Sequence, residues 1–392
     1  MALMSGLPGV LPGSGSVKYE ELHKKYGGFD HPQAKIEIDG EVFAEKHTTM
    51  MINDISIELS SGFEASIARF RIYKVYNLKT SSFQFEEVKR HAILGVSVNV
   101  SLGYMGALEP VFTGFIASVD FCYDPDSLPY IEITGMDAKG VMMASSHAAR
   151  LRAKSYGEGV KEILSRTAYK KMQTAKIISA IDVSNTPDMK AGGDTASAET
   201  IEMVSESDYE FIIKAAKKFN FEFFIEQGKV IFRKARSVTA PLMDLSPGKG
   251  IISFRLGYSL TGMVEEIEVR AMNPGTGKKV SAKGKYNQNL STAGKAKALI
   301  GGSKRIYIDP TVFTQEQANA RLDSLMTQMS YRLGTIESEC IGIPDLVPGR
   351  FVNVKVGSPG DNSFYLTNVT HDFQSTGAYR TRITGSAPSV KK

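Results

Sequence analysis

The chain has 392 residues, of which 42% are hydrophobic and 23% charged, and its formal net charge is +5. This composition is ordinary for a globular protein and excludes a disordered or fibrous chain. The length predicts two or three packed units, and the mild charge gives little support for a nucleic-acid protein.

The cysteines and the N-terminal segment bear on where the chain folds. Cys122 and Cys340 are far apart and lack metal-ligand spacing, which argues against a disulfide framework and a zinc site. Residues 1–16 are apolar but have no basic leader and are interrupted by proline and glycine, so no signal peptide is predicted. No apolar run reaches the roughly 20 residues of a membrane span. We therefore expect synthesis in the cytoplasm and no stable membrane insertion.

The first third of the chain is predicted to be an arm followed by a β domain. Residues 1–32 are rich in Gly, Pro and Ser at first and charged later, which is typical of a flexible N-terminal arm. Within 33–142, apolar and polar residues alternate between turn residues, as in half-buried strands. The clearest runs are Ala34–Ile38, Ile52–Leu59, Val96–Leu102, Pro110–Phe121 and Pro129–Thr134. We expect a small antiparallel barrel or sandwich here.

Residues 143–248 change to a mixed pattern of helices and strands. Apolar residues near helical spacing predict a helix over Gly157–Lys171. Ser207 and Glu210 match a capping box, and the apolar stripe that follows predicts a second helix of about three turns. Phe221–Arg233 contains two strand-like runs around a Gln-Gly turn, which predicts a hairpin. This segment is therefore expected to be an α/β middle domain.

Residues 249–389 return to a strand pattern. One long capped helix interrupts it at about 314–333, where apolar residues lie on one side. We expect a second β domain that carries this helix.

An internal repeat links the two β regions. Three short sequence motifs recur in the same order later in the chain, at offsets of 254, 252 and 250 residues. They are Val98-Asn99-Val100, Asp120-Phe121 and Ile133-Thr134-Gly135, matched by Val352-Asn353-Val354, Asp372-Phe373 and Ile383-Thr384-Gly385. Phe112 and Phe364 are also 252 residues apart. Loop trimming between equivalent strands would give such shifts. We therefore expect a duplicated β unit, which suits a closed ring built from like-facing patches.

The sequence offers no recognisable catalytic, cofactor or metal site. It has no Gly-x-Ser-x-Gly elbow, and its six histidines are scattered without metal-ligand spacing. Adjacent carboxylates such as Glu265 and Glu266 point to opposite faces of a strand and suit one acid/base site badly. We expect a protein that is not an enzyme and needs no cofactor.

One basic stretch is a candidate contact surface. Residues 278–305 contain eight cations and no acidic residue. The cations are Lys278, Lys279, Lys283, Lys285, Lys295, Lys297, Lys304 and Arg305. Such a run is usually a solvated loop. The alternative is a lip or lumen contact for a polyanion or an acidic partner protein.

Two parts of the sequence resemble the phage late control gene D protein and VgrG families of contractile tails and injection systems. Gly342–Val354 resembles the turn and strand that open the last barrel in these families. Ser205–Ile212, followed by Phe221–Phe224, is similar to the helix and hairpin of their middle domain. The similarity covers roughly residues 33–389. It departs at Asn220, where a glycine is expected, and in lacking the oligonucleotide-binding-type domain and needle of VgrG proteins.

The resemblance implies an α+β, mostly β fold in which two similar tube-like β-barrel domains flank an α/β middle domain. It also implies a structural baseplate hub, a homotrimer whose six barrels form a pseudo-sixfold ring under a hexameric inner tube. The threefold face would hold a trimeric spike encoded separately. The expected partners are further copies, the tail tube protein, the spike and other baseplate proteins, with nucleic acid or cargo only in transit. Assembly would follow synthesis in the bacterial cytoplasm.

Two other functions stay open from the sequence. One is a surface module that binds glycan or a receptor, although the absence of tryptophan weakens carbohydrate recognition. The other is a tail-associated cell-wall hydrolase, which would require a convergent acid/base or metal site.

Overall fold

A computed structural model describes residues 16–46, 50–84, 93–186, 201–273, 276–286, 295–358 and 360–390. Within these ranges the chain forms 23 strands, eight α-helices and one 3-10 turn at Gly27–Phe29. The structure is mostly β, with 47% strand and 20% helix, which confirms the predicted fold class.

The strands are β1 (Pro32–Ile38), β2 (Glu41–Val42), β3 (Met51–Ser60), β4 (Ile67–Tyr73), β5 (Tyr76–Asn77), β6 (Ser82–Phe83), β7 (Ser97–Tyr104), β8 (Ala107–Cys122), β9 (Tyr130–Met136), β10 (His147–Arg150), β11 (Ala180–Val183), β12 (Glu202–Glu206), β13 (Phe221–Glu226), β14 (Lys229–Lys234), β15 (Pro241–Pro247), β16 (Gly250–Tyr258), β17 (Glu266–Met272), β18 (Lys279–Lys285), β19 (Lys304–Ile308), β20 (Gly334–Ile341), β21 (Phe351–Val354), β22 (Asn362–Gln374) and β23 (Ala378–Ala387). The helices are α1 (Tyr19–Lys25), α2 (Phe43–Lys46), α3 (Lys139–Met142), α4 (Tyr156–Leu164), α5 (Thr167–Thr174), α6 (Asp208–Phe219), α7 (Lys295–Leu299) and α8 (Gln315–Ser330).

Thirteen strands form one continuous sheet. Their order is β2-β1-β7-β8-β9-β4-β3-β22-β21-β15-β16-β20-β23. Because β22 also pairs with β23, the last six strands close into a barrel, and the earlier strands join that barrel through β3 and β22. Alternation along each strand sends apolar side chains inward, such as Phe70 and Ile383. The inner faces of both parts contribute to a single hydrophobic core.

β15 shows that the barrel takes a strand from an unexpected place. It lies inside the segment predicted as the middle domain, 143–248, but pairs in parallel with β21 and β16 in the barrel. Its pairing with β16 covers only Ser246 with Gly250 and Pro247 with Ile251. So short a parallel contact leaves no periodic signal from which a barrel strand could be predicted.

The middle domain packs α4, α5 and α6 against a three-stranded sheet. β14 is central in this sheet, parallel to β11 and antiparallel to β13, the predicted hairpin partner. The capping box of Ser207 and Glu210 is confirmed at the start of α6. Asn220 ends α6 with a φ of 55°, so it adopts the left-handed conformation for which a glycine was expected.

A second small α/β layer lies between β16 and β20. There β17 pairs antiparallel with β18 and parallel with β19, and α8 packs against the sheet through a separate apolar core. The predicted helix at about 314–333 corresponds to α8, whose N-cap Thr314 forms a capping box with Gln317. The predicted second barrel domain, 249–389, therefore contains an inserted layer. The alternation of β17 is what made this layer look like part of a barrel.

The segment predicted as a flexible N-terminal arm, 1–32, is folded in the part that the structure describes. Residues 1–15 lie outside the described residues, but 16–32 are folded rather than flexible. Leu22 and Tyr26, four residues apart on one side of α1, are both buried. The Tyr26 hydroxyl donates a hydrogen bond to Asp345, and Lys25 Nζ lies 2.8 Å from the same carboxylate. The apolar stripe and this ion pair hold the segment against the barrel.

A buried histidine lies in the core of the barrel. His371 Nε2 is 3.2 Å from the carbonyl oxygen of Leu346, while Nδ1 is 3.0 Å from the Tyr379 hydroxyl and 3.2 Å from that of Thr381. The carbonyl can only accept, so Nε2 carries a proton, and in the neutral ring Nδ1 accepts from the hydroxyls. Burial lowers the pKa of His371 to about 4.

Two buried charged residues, Asp137 and Lys139, fix the turn between β3 and β4 through hydrogen bonds to the backbone. Asp137 accepts hydrogen bonds from the backbone amides of Ser66 and Lys139, at 2.8 and 2.9 Å. Lys139, which is 0% exposed, donates to the carbonyl oxygens of Gly62 and Glu64. Each charge therefore has partners that replace water.

We predict that His371 makes stability depend on pH. Its pKa is about 4 in the folded chain and about 6.5 when unfolded, so protons favour the unfolded state as the pH falls below about 6.5. Between pH 7 and pH 5, the free energy of unfolding should fall by about 2 kcal/mol more than in His371→Gln. Denaturant titrations at each pH measure this. Parallel curves for the two proteins would contradict the prediction, since all other titrating groups are shared.

We predict that Lys139→Met destabilises the fold by about 3–5 kcal/mol, because it leaves the Asp137 carboxylate and two carbonyls without their buried cation. The matched control is Lys170→Met on the exposed surface of α5, which should change stability by less than about 0.5 kcal/mol. Urea unfolding of both variants gives the comparison. Similar losses in both would refute a special role for the buried pair.

Candidate assembly surface

Two sets of five strands have the same order. The first set is β7-β8-β9-β4-β3 and the second set is β21-β22-β23-β20-β16. Within each set, every strand is antiparallel to its neighbours. The two sets therefore present the same arrangement of strands twice in one chain.

The register of the two sets also agrees. Ile116 is opposite Gly135 in the first set, and Leu366 is opposite Gly385 in the second, each 250 residues later. Both ladders shift register immediately after this pair, at Ser118 and at Asn368, again 250 residues apart. A bulge at the same place in both ladders is a specific correspondence, because bulges re-aim a strand and interrupt its pairing.

Only some of the repeated sequence motifs lie at equivalent positions of the two ladders. The Val-Asn-Val and Ile-Thr-Gly motifs, which begin at Val98 and Ile133, lie at corresponding positions of the two sets. The matches at Phe112 and Asp120 do not lie at corresponding positions. Their 252-residue spacing is two residues longer than the 250-residue offset between the two ladders. A shift of two keeps a side chain on the same face of its strand, so these matches share a face but not a position. Duplication of the unit stays a prediction.

β3 and β22 join the two sets. Ile55–Ser60 pairs antiparallel with Asn368–Phe373, along the side of β22 that its other neighbour β21 leaves uncovered. On the outer face, Ser56 Oγ lies 2.9 Å from the Asp372 carboxylate, which also contacts Arg382. The junction is thus a regular sheet pairing with polar contacts on its solvent side.

Among the strand edges of the two sets, one on β8 and one on β16 are open in the part of the chain that the structure describes. On β8, pairing with β7 ends at Phe115, so Ser118–Asp120 has a strand neighbour only on the β9 side. On β16, pairing with β15 ends at Ile251, so Ser253–Gly257 has a strand neighbour only on the β20 side. Ile252 and Phe254 are 48% and 42% exposed there. Open edges of this kind are ready to pair with another strand.

The basic stretch is divided by the fold. Lys279, Lys283, Lys285 and Lys304 alternate on β18 and β19 with residues that face α8, and they share the outward face of the small sheet. The other four do not belong to this group: Lys278 precedes β18, Lys295 and Lys297 lie on α7, and Arg305 is on β19 next to Lys304.

Glutamates from β17 and its preceding turn neutralise part of this face. Lys283 and Lys304 both contact Glu268, while Lys285 Nζ lies 3.3 Å from Glu265. Hydrogen bonds from Arg270 and Lys304 lower the pKa of Glu268 to about 2. The sequence suggested an uncompensated basic run because the compensating carboxylates come from an earlier strand.

The two segments that carry the family resemblance touch each other. Gly349 has a φ of 79°, and a Cβ at this position would lie 2.6 Å from the Phe224 ring. Arg233 donates to the Gly349 carbonyl oxygen at 2.8 Å and pairs with Glu222 at 2.6 Å. Glu222 is buried and also accepts a hydrogen bond from Tyr365. The hairpin of the middle domain is therefore anchored on the turn that opens β21. An acidic residue within the apolar run of β13 was the only sequence signal for this anchor.

An open cleft of about 590 Å³ lies between α6 and α8. Its cations are engaged: Arg321 Nε is 3.0 Å from Asp309, and Lys218 Nζ is 3.2 Å from the Thr311 carbonyl oxygen. Across the described ranges, no group of three or more His, Cys, Asp or Glu side chains could hold a metal ion. No described helix is long and apolar enough to cross a membrane.

Solved structures with a similar fold include two tail proteins and a component of a type VI secretion system. One is the tail protein from Neisseria meningitidis MC58, with a TM-score of 0.63 and 13% identity over 92% of this chain and 100% of the other. A second is the 43 kDa tail protein of prophage MuSo2 from Shewanella oneidensis, with a TM-score of 0.63 and 16% identity over 91% and 98%. A third is an E. coli component of the type VI secretion system, with a TM-score of 0.52 and 10% identity over 91% and 79%.

At these identities the similarity shows a shared fold. It supports the fold implied by the resemblance to the late control gene D protein and VgrG families, although the family model that matches is a different one. No curated protein sequence matches this chain. The matching family model is described as the Alg8 N-terminal domain and covers residues 30–375. Because that match runs over most of the chain, the protein belongs to the Alg8 N-terminal domain family.

Proposed function

We propose that this chain is a structural baseplate hub of a contractile phage tail or injection system. In this role it forms a homotrimer that joins a hexameric inner tube to a trimeric spike made by another polypeptide. The observation that carries the proposal is the presence of two strand sets with the same order and register in one chain. Three chains supply six such sets, the number that a sixfold tube requires, while the rest of each chain keeps threefold symmetry.

The shared fold supports a place in such a particle. Two tail proteins, one of them from a prophage, align with more than nine-tenths of this chain. The third neighbour is described as a type VI secretion component similar to the bacteriophage T4 tail proteins gp27 and gp5. Partners of the proposed hub are therefore the tube protein, the spike and other baseplate proteins. Nucleic acid or cargo would only pass through.

The proposed role is mechanical and not enzymatic. Among the described residues, apolar side chains such as Phe364 and Ile336 make up most of the barrel interior. The work of a hub lies in large obligate interfaces, on the order of 2,000 Å² or more each.

The outward face of the small sheet is proposed as a contact for an acidic partner protein. Ile306 and Ile308 are 44% and 82% exposed beside its lysines. Apolar side chains among partly neutralised cations suit a protein surface better than a polyanion, which needs uncompensated charge.

We predict that the purified protein forms a trimer, either alone or on mixing with the tube and spike proteins of the same particle. Light scattering should then give three times the 42.8 kDa mass of one chain, or a complex containing three copies. The tube protein alone provides the reference mass. A monomer that persists at high concentration and in both mixtures would contradict the proposed function.

A further inference from the structure

We infer that neighbouring copies of this chain join edge to edge, with β16 of one copy hydrogen-bonded antiparallel to the C-terminal half of β8 of the next. The inference rests on the proposed ring and adds the surfaces that form it. Its occupant is a second copy of the same chain.

The junction inside the chain provides the template. There the last strand of the first set, β3, pairs with the second strand of the second set, β22. If the two sets occupy equivalent places in a ring, the same junction must recur between chains. The last strand of the second set must then pair with the second strand of the first set in the next copy. These strands are β16 and β8.

The ladder register identifies equivalent residues on β3 and β16. Ile57 is opposite Ala68, which is opposite Gly135. Leu256 is opposite Ile336, which is opposite Gly385. Because the two glycines correspond, Ile57 corresponds to Leu256, 199 residues later.

Both strands that the template requires have an uncovered edge. On β8 the edge along Ser118–Asp120 and on β16 the edge along Ser253–Gly257 have no strand neighbour among the described residues. The equivalent edges of β22 and β3 are the ones that pair with each other inside the chain. One copy of the junction is thus used inside the chain, and within the described ranges the complementary pair of edges has no strand neighbour.

Transferring the template gives a register for the contact. Inside the chain, Thr370 is opposite Glu58 and Asp372 is opposite Ser56. Their equivalents place Asp120 of one copy opposite the next copy's Gly257, and Cys122 opposite its Arg255.

The side chains fit this register. Asp120 and Arg255 are both exposed, and they would be diagonal neighbours on the outer face, where opposite charges attract. Gly257, opposite Asp120, leaves room for that contact. The exposed side chains of Ile252 and Phe254 would be covered by the neighbour. The contact joins two different edges, so repetition closes a ring when each copy turns by one third of a circle.

A single substitution tests the register. Arg255→Cys should form a disulfide with the native Cys122 of the next copy, because directly opposite strand residues have suitable Cβ separations. Mild oxidation should give covalent trimers on non-reducing gels. The other cysteine, Cys340, is buried and does not compete. In a Cys122→Ser background the product should vanish.

Ser253→Cys is the matched control, since Ser253 is exposed on the same strand face two residues away. It should cross-link at most one tenth as well, because two residues add about 7 Å along the strand. Equal cross-linking by both variants would overturn the register. A trimer by light scattering without the Arg255→Cys cross-link would overturn the edge pairing and leave the proposed function standing. A persistent monomer would overturn both.

Exchanging the charges of Asp120 and Arg255 tests the same contact without changing the cysteines. Asp120→Arg and Arg255→Asp should each weaken trimer association by about fivefold per interface, and the double variant should restore it. Asp126→Arg, in the exposed turn after β8, makes the same charge change away from the edge and should have no effect. Additive losses in the double variant would overturn the pairing.

Discussion

The pairing of β3 with β22 is the interaction on which the rest of the structure depends. It turns two sets of strands into one sheet and lets their inner faces fill one core. Without it, β3 and β22 would each expose a row of unpaired amides and carbonyls, which folded proteins avoid. The position of the middle domain follows, because the turns that hold it, around Phe63 and Gly349, adjoin these strands and their neighbours.

The sequence was informative where a signal is local. Alternation predicted the β class, and the capping residues Ser207 and Thr314 fixed the starts of two helices. The repeated Val-Asn-Val and Ile-Thr-Gly motifs lie at equivalent positions of the ladders. The match at Asp120 was misaligned by two residues, because a shift of two residues preserves the alternation of a strand.

Features that depend on distant segments could not be predicted. β15 pairs in parallel over a few residues, and Glu268 meets Lys283 only because two strands fold together. The candidate assembly surface is harder still, since an open edge is defined by what does not pair with it. Nothing in the run around Asp120 or Arg255 distinguishes an edge from a covered strand. Only the complete strand order, compared between the two sets, does so.

The shared core has a consequence for synthesis on the ribosome. The first set leaves the exit tunnel well before β22, which begins at Asn362. Until then β3 has no partner on one side, and the nascent chain carries a half-finished core. Contacts so distant in sequence form slowly, and an unpaired strand invites aggregation in the meantime. Yield in the cell should therefore be set by how the emerging polypeptide is protected, for instance by a chaperone, more than by the stability of the finished fold.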